Sequence, residues 1–463
     1  MKKGKFDANT GALDFHSRLS FAAKENSRRR IFNASNAQGM VYCRAMTAPV
    51  TTPAPRPRVN LRTPDVMARV QAEVEGHYRS EWVERIRREG GRAVIGQTTI
   101  HLAKAFGFCY GVERAIDLAY AARKVFPDKR IFLLGEIIHN PDVNAQIAAM
   151  GIVPLEARPT ESEFSGLTEN DVVIVPAFGS EVTTVARIKM IGCQIVDTTC
   201  GDVMSVWKRV RQNSREAVTS IIHGKSGHEE TRATASHALG SGDGHFLVVL
   251  NLKEADRVCE FLRGTVSKAV LLDEFRGAYS EGFDPDVHLA RIGVANQTTM
   301  LRSETEEVQQ RLRNAISDRD GGDTANFRFF DTICGATQER QDALFDLLRT
   351  RLDVLLVVGG YNSSNTTHLA EIGEKAVSTY FIRNAECLSE PDAIQHFDIH
   401  SKEEVTTREW LPIGRATIGI TAGASCPNNL IEETILRVLV LRGEDVPASP
   451  QEIPLSSTSG SLP

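Results

Sequence analysis

One pattern, written three times, constrains the fold of this 463-residue chain more than any other feature. Asp197-Thr198-Thr199-Cys200 and Asp331-Thr332-Ile333-Cys334 are near copies, each preceded by strand-forming residues (Ile195 and Val196; Phe327, Phe329 and Phe330). The stretch AFGFCYG around Cys109 is a looser third copy. Behind each cysteine the apolar residues take helical spacing: Val112, Ala115 and Ala119; Val203, Val206, Trp207 and Val210; Ala343, Leu344, Leu347 and Leu348. That spacing places each thiol at a helix N-terminus.

Each helix is followed by a short apolar strand that ends in polar residues: IFLLGEIIHN, SIIHGKSGHEE and LLVVGGYNSSN. The polar tips fall at regular intervals, with His139, His228 and Ser363 lying 30, 28 and 29 residues after Cys109, Cys200 and Cys334. A second strand, a small-residue turn and a helix complete each unit, in VVIVPAFGSEV, IGVANQTTMLR and TIGITAGASCPNN. Self-similarity at a fixed period marks a repeat architecture. The fold class expected is therefore α/β, with three similar domains at 98–196, 197–330 and 331–443.

The flanks read differently. Residues 1–60 carry basic clusters and the Pro/Thr stretch APVTTPAPRPR, a composition that buries little apolar surface and predicts a disordered leader. Asp7, Asp14 and Glu25 argue against a transit peptide. A cytoplasmic location is the first expectation and a plastid one the alternative. Residues 61–97 predict a helical extension, and the Ser/Pro-rich stretch 444–463 a flexible tail.

Composition narrows the function. No apolar run approaches the roughly 18 to 20 residues of a membrane span. A net charge of −5 gives no general attraction to nucleic acid or anionic lipid. Eight cysteines scattered over the chain do not form a secreted disulfide framework. Cys193, Cys259, Cys387 and Cys426 read as small buried hydrophobes, and Cys43 falls in the leader.

Cys109, Cys200 and Cys334 share one position in three repeats and so read as one site. Amide N–H groups and the positive end of a helix dipole lower a thiol's pKa and favour the thiolate that binds metal. The chain has no C-x-x-C pair, so the usual zinc-ribbon and ferredoxin spacings are absent. Zinc with three cysteine ligands and an iron-sulfur cluster both remain open, and either leaves one metal position unfilled for chemistry. Around the thiols, His139-Asn140, His228, Asn362-Ser363-Ser364-Asn365, Gln297-Thr298-Thr299 and Ser425 make a ring of mostly neutral donors suited to an oxyanion. Glu230 is the carboxylate nominated as proton donor, in preference to its neighbour Glu229.

In order along residues 95 to 440, the motifs GFCYGVERA, GEIIHN, DTTCGDV, HGKSGHEET, NQTTM, TICGATQERQ, GGYNSSNTTHLAE and TAGASCP resemble the 4-hydroxy-3-methylbut-2-enyl diphosphate reductase family. HEET and PAFG are most similar to its cyanobacterial and plant branch. The resemblance implies three α/β domains in a pseudo-threefold, trefoil arrangement around one 4Fe-4S cluster. Cys109, Cys200 and Cys334 would hold that cluster, leaving an open fourth iron for the substrate hydroxyl. It implies that His139, His228, Ser363, Ser364, Asn365 and Ser425 hold the diphosphate, and that Glu230 and Thr298 relay the proton; Gln297, from its place in the polar ring, is also assigned to substrate binding.

The implied reaction is reductive dehydration of the allylic diphosphate to isopentenyl and dimethylallyl diphosphates, with electrons from a ferredoxin- or flavodoxin-type donor. Many members carry a histidine where this chain has Phe178, in Pro176-Ala177-Phe178-Gly179. Two alternatives stand beside this reading: a quinolinate-synthase-like 4Fe-4S dehydratase and a non-catalytic iron-sulfur sensor.

Overall fold

A computed structural model of the chain describes residues 59–240 and 242–453. The expected leader, up to residue 58, and the tail from residue 454 lie outside the described residues. Two helices, Pro64–Tyr78 and Glu81–Arg88, form the expected extension. Ser80 caps the second by accepting the Val83 N–H at 2.9 Å, an arrangement worth about 1 kcal/mol. Val70 and Tyr78 join a core with Val112 and Ile116, whereas Trp82, Val83 and Ile86 join Ile100, Ile418 and Ile420. The extension is thus built into two separate cores.

The chain then forms a hairpin, β1 (Arg92–Ile95) and β2 (Thr98–Leu102). Next come β3 (Ile131–Leu134), β4 (Ile152–Leu155), β5 (Val172–Val175) and β6 (Gln194–Asp197), a parallel sheet in the order β4-β3-β5-β6. A second parallel sheet follows from β7 (Thr219–His223), β8 (Phe246–Val249), β9 (Ile292–Asn296) and β10 (Phe327–Phe329), in the order β10-β9-β7-β8. The third contains β11 (Val354–Val358) and β12 (Thr379–Ile382), is interrupted by the antiparallel pair β13 (Ala393–Asp398) and β14 (Glu403–Arg408), and resumes with β15 (Ala416–Ala422). Strands β5, β7, β9 and β11 are buried at every residue, as expected where helices cover both faces of a parallel sheet.

The third sheet has the order β1-β2-β15-β11-β12, and β2 runs parallel to β15 with Thr98 opposite Ala416. This moves one expected boundary. Strand 98–102 is counted above with the first unit, but it completes the sheet of the third. The strand orders then match: β4-β3-β5-β6, β8-β7-β9-β10 and β12-β11-β15-β2, the last strand of each leading into one of the three cysteines. The chain's first core strand fills the last place in its final sheet and so closes the three lobes on one another.

The expected flexible tail also needs correcting over its described part. The Glu444 carboxylate accepts from the Gln97 N–H at 3.1 Å and from Thr98 Oγ1 at 2.6 Å, while Ile453 is buried in the third core. Residues 444–453 therefore pack against the β1–β2 hairpin and the third lobe.

Candidate active site

Each of the three cysteines is the N-cap of a helix: Cys109 for Tyr110–Val125, Cys200 for Gly201–Arg215 and Cys334 for Gly335–Leu348. Each backbone N–H is held by the small-residue turn of the neighbouring strand. Cys109 donates to Ala424 O at 3.3 Å, Cys200 to Ala177 O at 2.8 Å and Cys334 to Thr298 O at 3.1 Å. Gly111 lets two lobes meet here, because a Cβ on it would sit 2.6 Å from Cys200 Sγ and 3.9 Å from Cys109 Sγ. All three thiols line one cavity of about 110 Å³.

The protonation of the thiols differs from expectation. Burial pushes the Cys334 thiol up to about 12, with Asp202 adding to the shift, and raises Cys200 as well. Helix N–H groups oppose the rise, from Thr337 at Cys334 and from Asp202 and Val203 at Cys200, but desolvation outweighs them. Without a bound cation these two positions hold thiols, and a metal must displace their protons.

Opposite the thiols stands Glu230, 3% exposed. Its Oε1 accepts the Thr298 N–H at 2.6 Å, the same residue whose carbonyl holds Cys334. Burial raises the Glu230 pKa to about 7, although its bonds to Thr298 and the charge of His139 pull it down. A carboxyl so poised is partly protonated at neutral pH and can deliver a proton.

The remaining wall is a ring of hydrogen-bond donors. His228 Nδ1 accepts the Glu230 N–H at 3.2 Å, so its proton resides on Nε2, and burial keeps the ring neutral by pushing its pKa well below the ordinary value. Asn365 Oδ1 accepts the Ala424 N–H at 2.9 Å, which leaves Nδ2 to face the cavity. Ser363 Oγ caps helix Ser364–Glu374 by accepting from Thr366, and Ser364 Oγ accepts from Gln297 Nε2 at 2.9 Å. Both hydroxyl protons remain for a ligand. His139 Nε2, His228 Nε2 and Asn365 Nδ2 are buried without a hydrogen-bond partner.

Eleven of the twelve residues nominated from the sequence line this cavity; Gln297 does not. Its Oε1 accepts from Lys225 N and Thr231 Oγ1, and its Nε2 donates to Thr299 and Ser364. With its amide saturated, it braces the donors. Ser425 lines the cavity but gives its hydroxyl to His139 O at 3.1 Å. Phe178 is in the wall, its ring stacked on His139 at 4.5 Å with the planes 8° apart. Gly179 follows at φ +81°, where a Cβ would lie 2.2 Å from the Trp207 ring, so the turn that presents Phe178 requires glycine.

Sequence reasoning did not single out Glu136, Asp202, Thr337 and Arg340. Glu136 Oε2 lies 3.0 Å from His139 Nδ1, and Asp202 and Thr337 line the cavity. A readable signal existed only for Arg340, a cation on the same helical stripe as Ala343 and Leu344.

Buried thiols facing orphaned N–H donors, with a carboxyl of raised pKa between them, define an enzyme site for a small oxyanion-bearing substrate. A sequence model of the LytB protein family matches residues 100–439. The chain is 45% identical to the 4-hydroxy-3-methylbut-2-enyl diphosphate reductase of Thermosynechococcus vestitus, over 81% of this chain and 92% of that one. It is 45% identical to the enzyme of the same name from Gloeobacter violaceus, over 81% and 91%. The chain therefore belongs to the 4-hydroxy-3-methylbut-2-enyl diphosphate reductase family. A solved structure of the E-1-hydroxy-2-methyl-but-2-enyl-4-diphosphate reductase from Plasmodium falciparum shares the fold, with a TM-score of 0.54 at 20% identity over 74% of this chain and 89% of that one.

Proposed function

We propose that the protein reduces and dehydrates 4-hydroxy-3-methylbut-2-enyl diphosphate, the last step of non-mevalonate isoprenoid synthesis. Two electrons and two protons enter, the allylic C–O bond breaks, and water leaves with isopentenyl or dimethylallyl diphosphate. The observation that carries this reading is the set of orphaned polar atoms, the donors His228 Nε2 and Asn365 Nδ2 with His139 Nε2, in the same cavity as three thiols. Buried polar groups without partners are costly, and a diphosphate would satisfy the donors among them.

The thiols suit a cluster better than a single ion. Among the described residues, the one set of three ligand atoms within 4.8 Å of one another belongs to His139, His228 and Glu229. Zinc–sulfur bonds of about 2.3 Å place tetrahedral sulfurs about 3.8 Å apart, whereas the three thiol sulfurs do not all lie within 4.8 Å of one another. Cys109, Cys200 and Cys334 would hold a 4Fe-4S cluster with one iron free of protein ligands. Such a cluster supplies Lewis acidity and a path for single electrons.

The chain's own residues do the rest. His139, His228, Ser363, Ser364 and Asn365 bind and orient the diphosphate, and Gln297 and Ser425 hold that ring in place. Glu230 keeps a proton in the buried wall and delivers it beside Thr298. A ferredoxin- or flavodoxin-type carrier provides the electrons.

Anaerobic purification with iron and sulfide analysis tests the reading, together with consumption of a reduced dye in the presence of the diphosphate. Cys109→Ser, Cys200→Ser and Cys334→Ser should each lose cluster iron and nearly all turnover, because a hard hydroxyl replaces a soft ligand. Cys193→Ser and Cys387→Ser should lose neither. Full iron content in any of the first three variants sinks the shared site.

A further inference from the structure

Arg340 sits six residues beyond Cys334, on the face of its helix that buries Thr337, Ala343 and Leu344. Its side chain carries a permanent charge, yet the residue is only 4% exposed. Nη1 donates to Ala336 O at 2.8 Å and Nη2 to Gly107 O at 2.6 Å. Nε is buried with no partner. Among the described residues no carboxylate oxygen lies within the 4.0 Å of an ion pair. A second cation, Arg87, adds to the local positive charge and donates to Phe106 O at 3.0 Å.

Leaving a buried charge unpaired costs several kcal/mol. Two backbone carbonyls offset only part of this, so the position calls for an anion. Burial is the largest influence and disfavours the charged guanidinium; the groups that favour it are Cys109 and then Cys334, ahead of Glu339. Glu113 also feels this charge, but it is an exposed carboxylate and makes no ion pair with Arg340. The unpaired cation thus stands behind two of the three thiols and ties the loop of one to the helix of the other.

We infer that Arg340 is a positioning residue whose charge compensates an anionic iron-sulfur cluster through Cys109 and Cys334 and raises its reduction potential. The inference rests on the cluster reading above. Adding an electron makes the cluster more negative, so a fixed neighbouring cation stabilises the reduced state more than the oxidised one; cluster charge and nearby dipoles set such potentials. The hydrogen bond to Gly107 also fixes the first-lobe loop that presents Cys109.

The test uses the full chain, loaded anaerobically, as wild type, Arg340→Gln and Arg340→Lys. Iron and sulfide content are measured, and the cluster's midpoint potential is followed by absorbance and electron paramagnetic resonance. Arg340→Gln should shift the potential negative by at least tenfold in the one-electron equilibrium constant, about 59 mV. Arg340→Lys should stay within about threefold of wild type. A cluster that assembles in the lysine variant but not in the glutamine variant supports the inference as well. Equal potentials in all three fully loaded proteins overturn it, and so does a lysine variant that behaves like the glutamine variant, which would leave only bracing of Gly107. Wild-type protein lacking iron and sulfide would instead sink the cluster reading itself.

Discussion

The first and second lobes aim one histidine each at the same cavity and hold it by opposite means. His228, on the second lobe, is buried and kept neutral, and a backbone N–H fixes its tautomer. His139, on the first, is fixed by side chains: Glu136 at Nδ1, Glu229 3.8 Å from Nε2, and the Phe178 ring stacked against it. Only the second-lobe histidine is set by the fold itself. The difference teaches that one wall's donor is set by the backbone, whereas the other's rests on neighbouring side chains that a substitution can change. Glu136 engages Nδ1, so the ring nitrogen that His139 turns to a ligand is Nε2.

The sharpest break in the second-lobe wall is Glu230→Gln, which keeps the shape but removes the acidic proton. Turnover should fall by roughly 10²-fold or more with substrate binding retained. Wild-type kcat should decline as the pH rises through about 7, where the Glu230 carboxyl ionises. Stability follows the same sign. The unfolded carboxyl titrates near 4.5 and the folded one near 7, so the folded state holds the extra proton between them. Wild-type stability due to this group is therefore lost as the pH rises across that window, and Glu230→Gln should abolish the loss. Thermal melting of both proteins at several pH values reads it. Damage in Glu229→Gln with normal turnover in Glu230→Gln would transfer the role to the neighbour.

A smaller effect is expected on the first-lobe wall. Phe178→His replaces the shelf under His139 with a ring that can itself donate. One hydrogen bond is worth about 0.5 to 3 kcal/mol, and the donors on His139, His228 and Ser363 are already in place. KM should change by about tenfold or less, with iron content unchanged. It should also become more dependent on pH near about 6.5, where imidazole titrates. KM measured against pH for both proteins, with iron assayed in each, checks this. Loss of iron would place Phe178 in the support of the thiols.

Much of this was legible before any coordinates. The repeated cysteine, strand and helix spacing announced three similar lobes, and the polar tips marked the donors, because strand and helix periodicities leave a local record. Which sheet owns β2 was not legible, since its pairing with β15 joins residues more than 300 positions apart and no local pattern encodes it. The thiol protonation was misjudged for a related reason: helix position is written in sequence, but burial by two other lobes is not. Gln297 shared the motif of the donors, yet only packing reveals that Ser364, Thr299, Thr231 and Lys225 already use its amide.

The finest test of the contrast between the lobes is Glu136→Gln. Glu136 is partly exposed, with 39% of its side chain accessible, so solvent screens its attraction for His139. An ion pair of that kind is worth about 0.2 to 1 kcal/mol, which limits the rise in KM to about fivefold. Its cause is more telling than its size. A carboxylate can only accept from Nδ1, whereas an amide can also donate to it, and then a neutral His139 can place its proton on Nε2 and still meet the diphosphate. KM at a fixed neutral pH should rise measurably in Glu136→Gln but by less than about fivefold, because the first-lobe histidine can then present an Nε2 donor as the second does. The neighbours Glu229 and His228 are the same in both proteins, so the difference in KM isolates Glu136. An unchanged KM would mean that the tautomer of His139 is set elsewhere, by Glu229 or by the ligand itself, and a larger rise that the Glu136 charge is itself required.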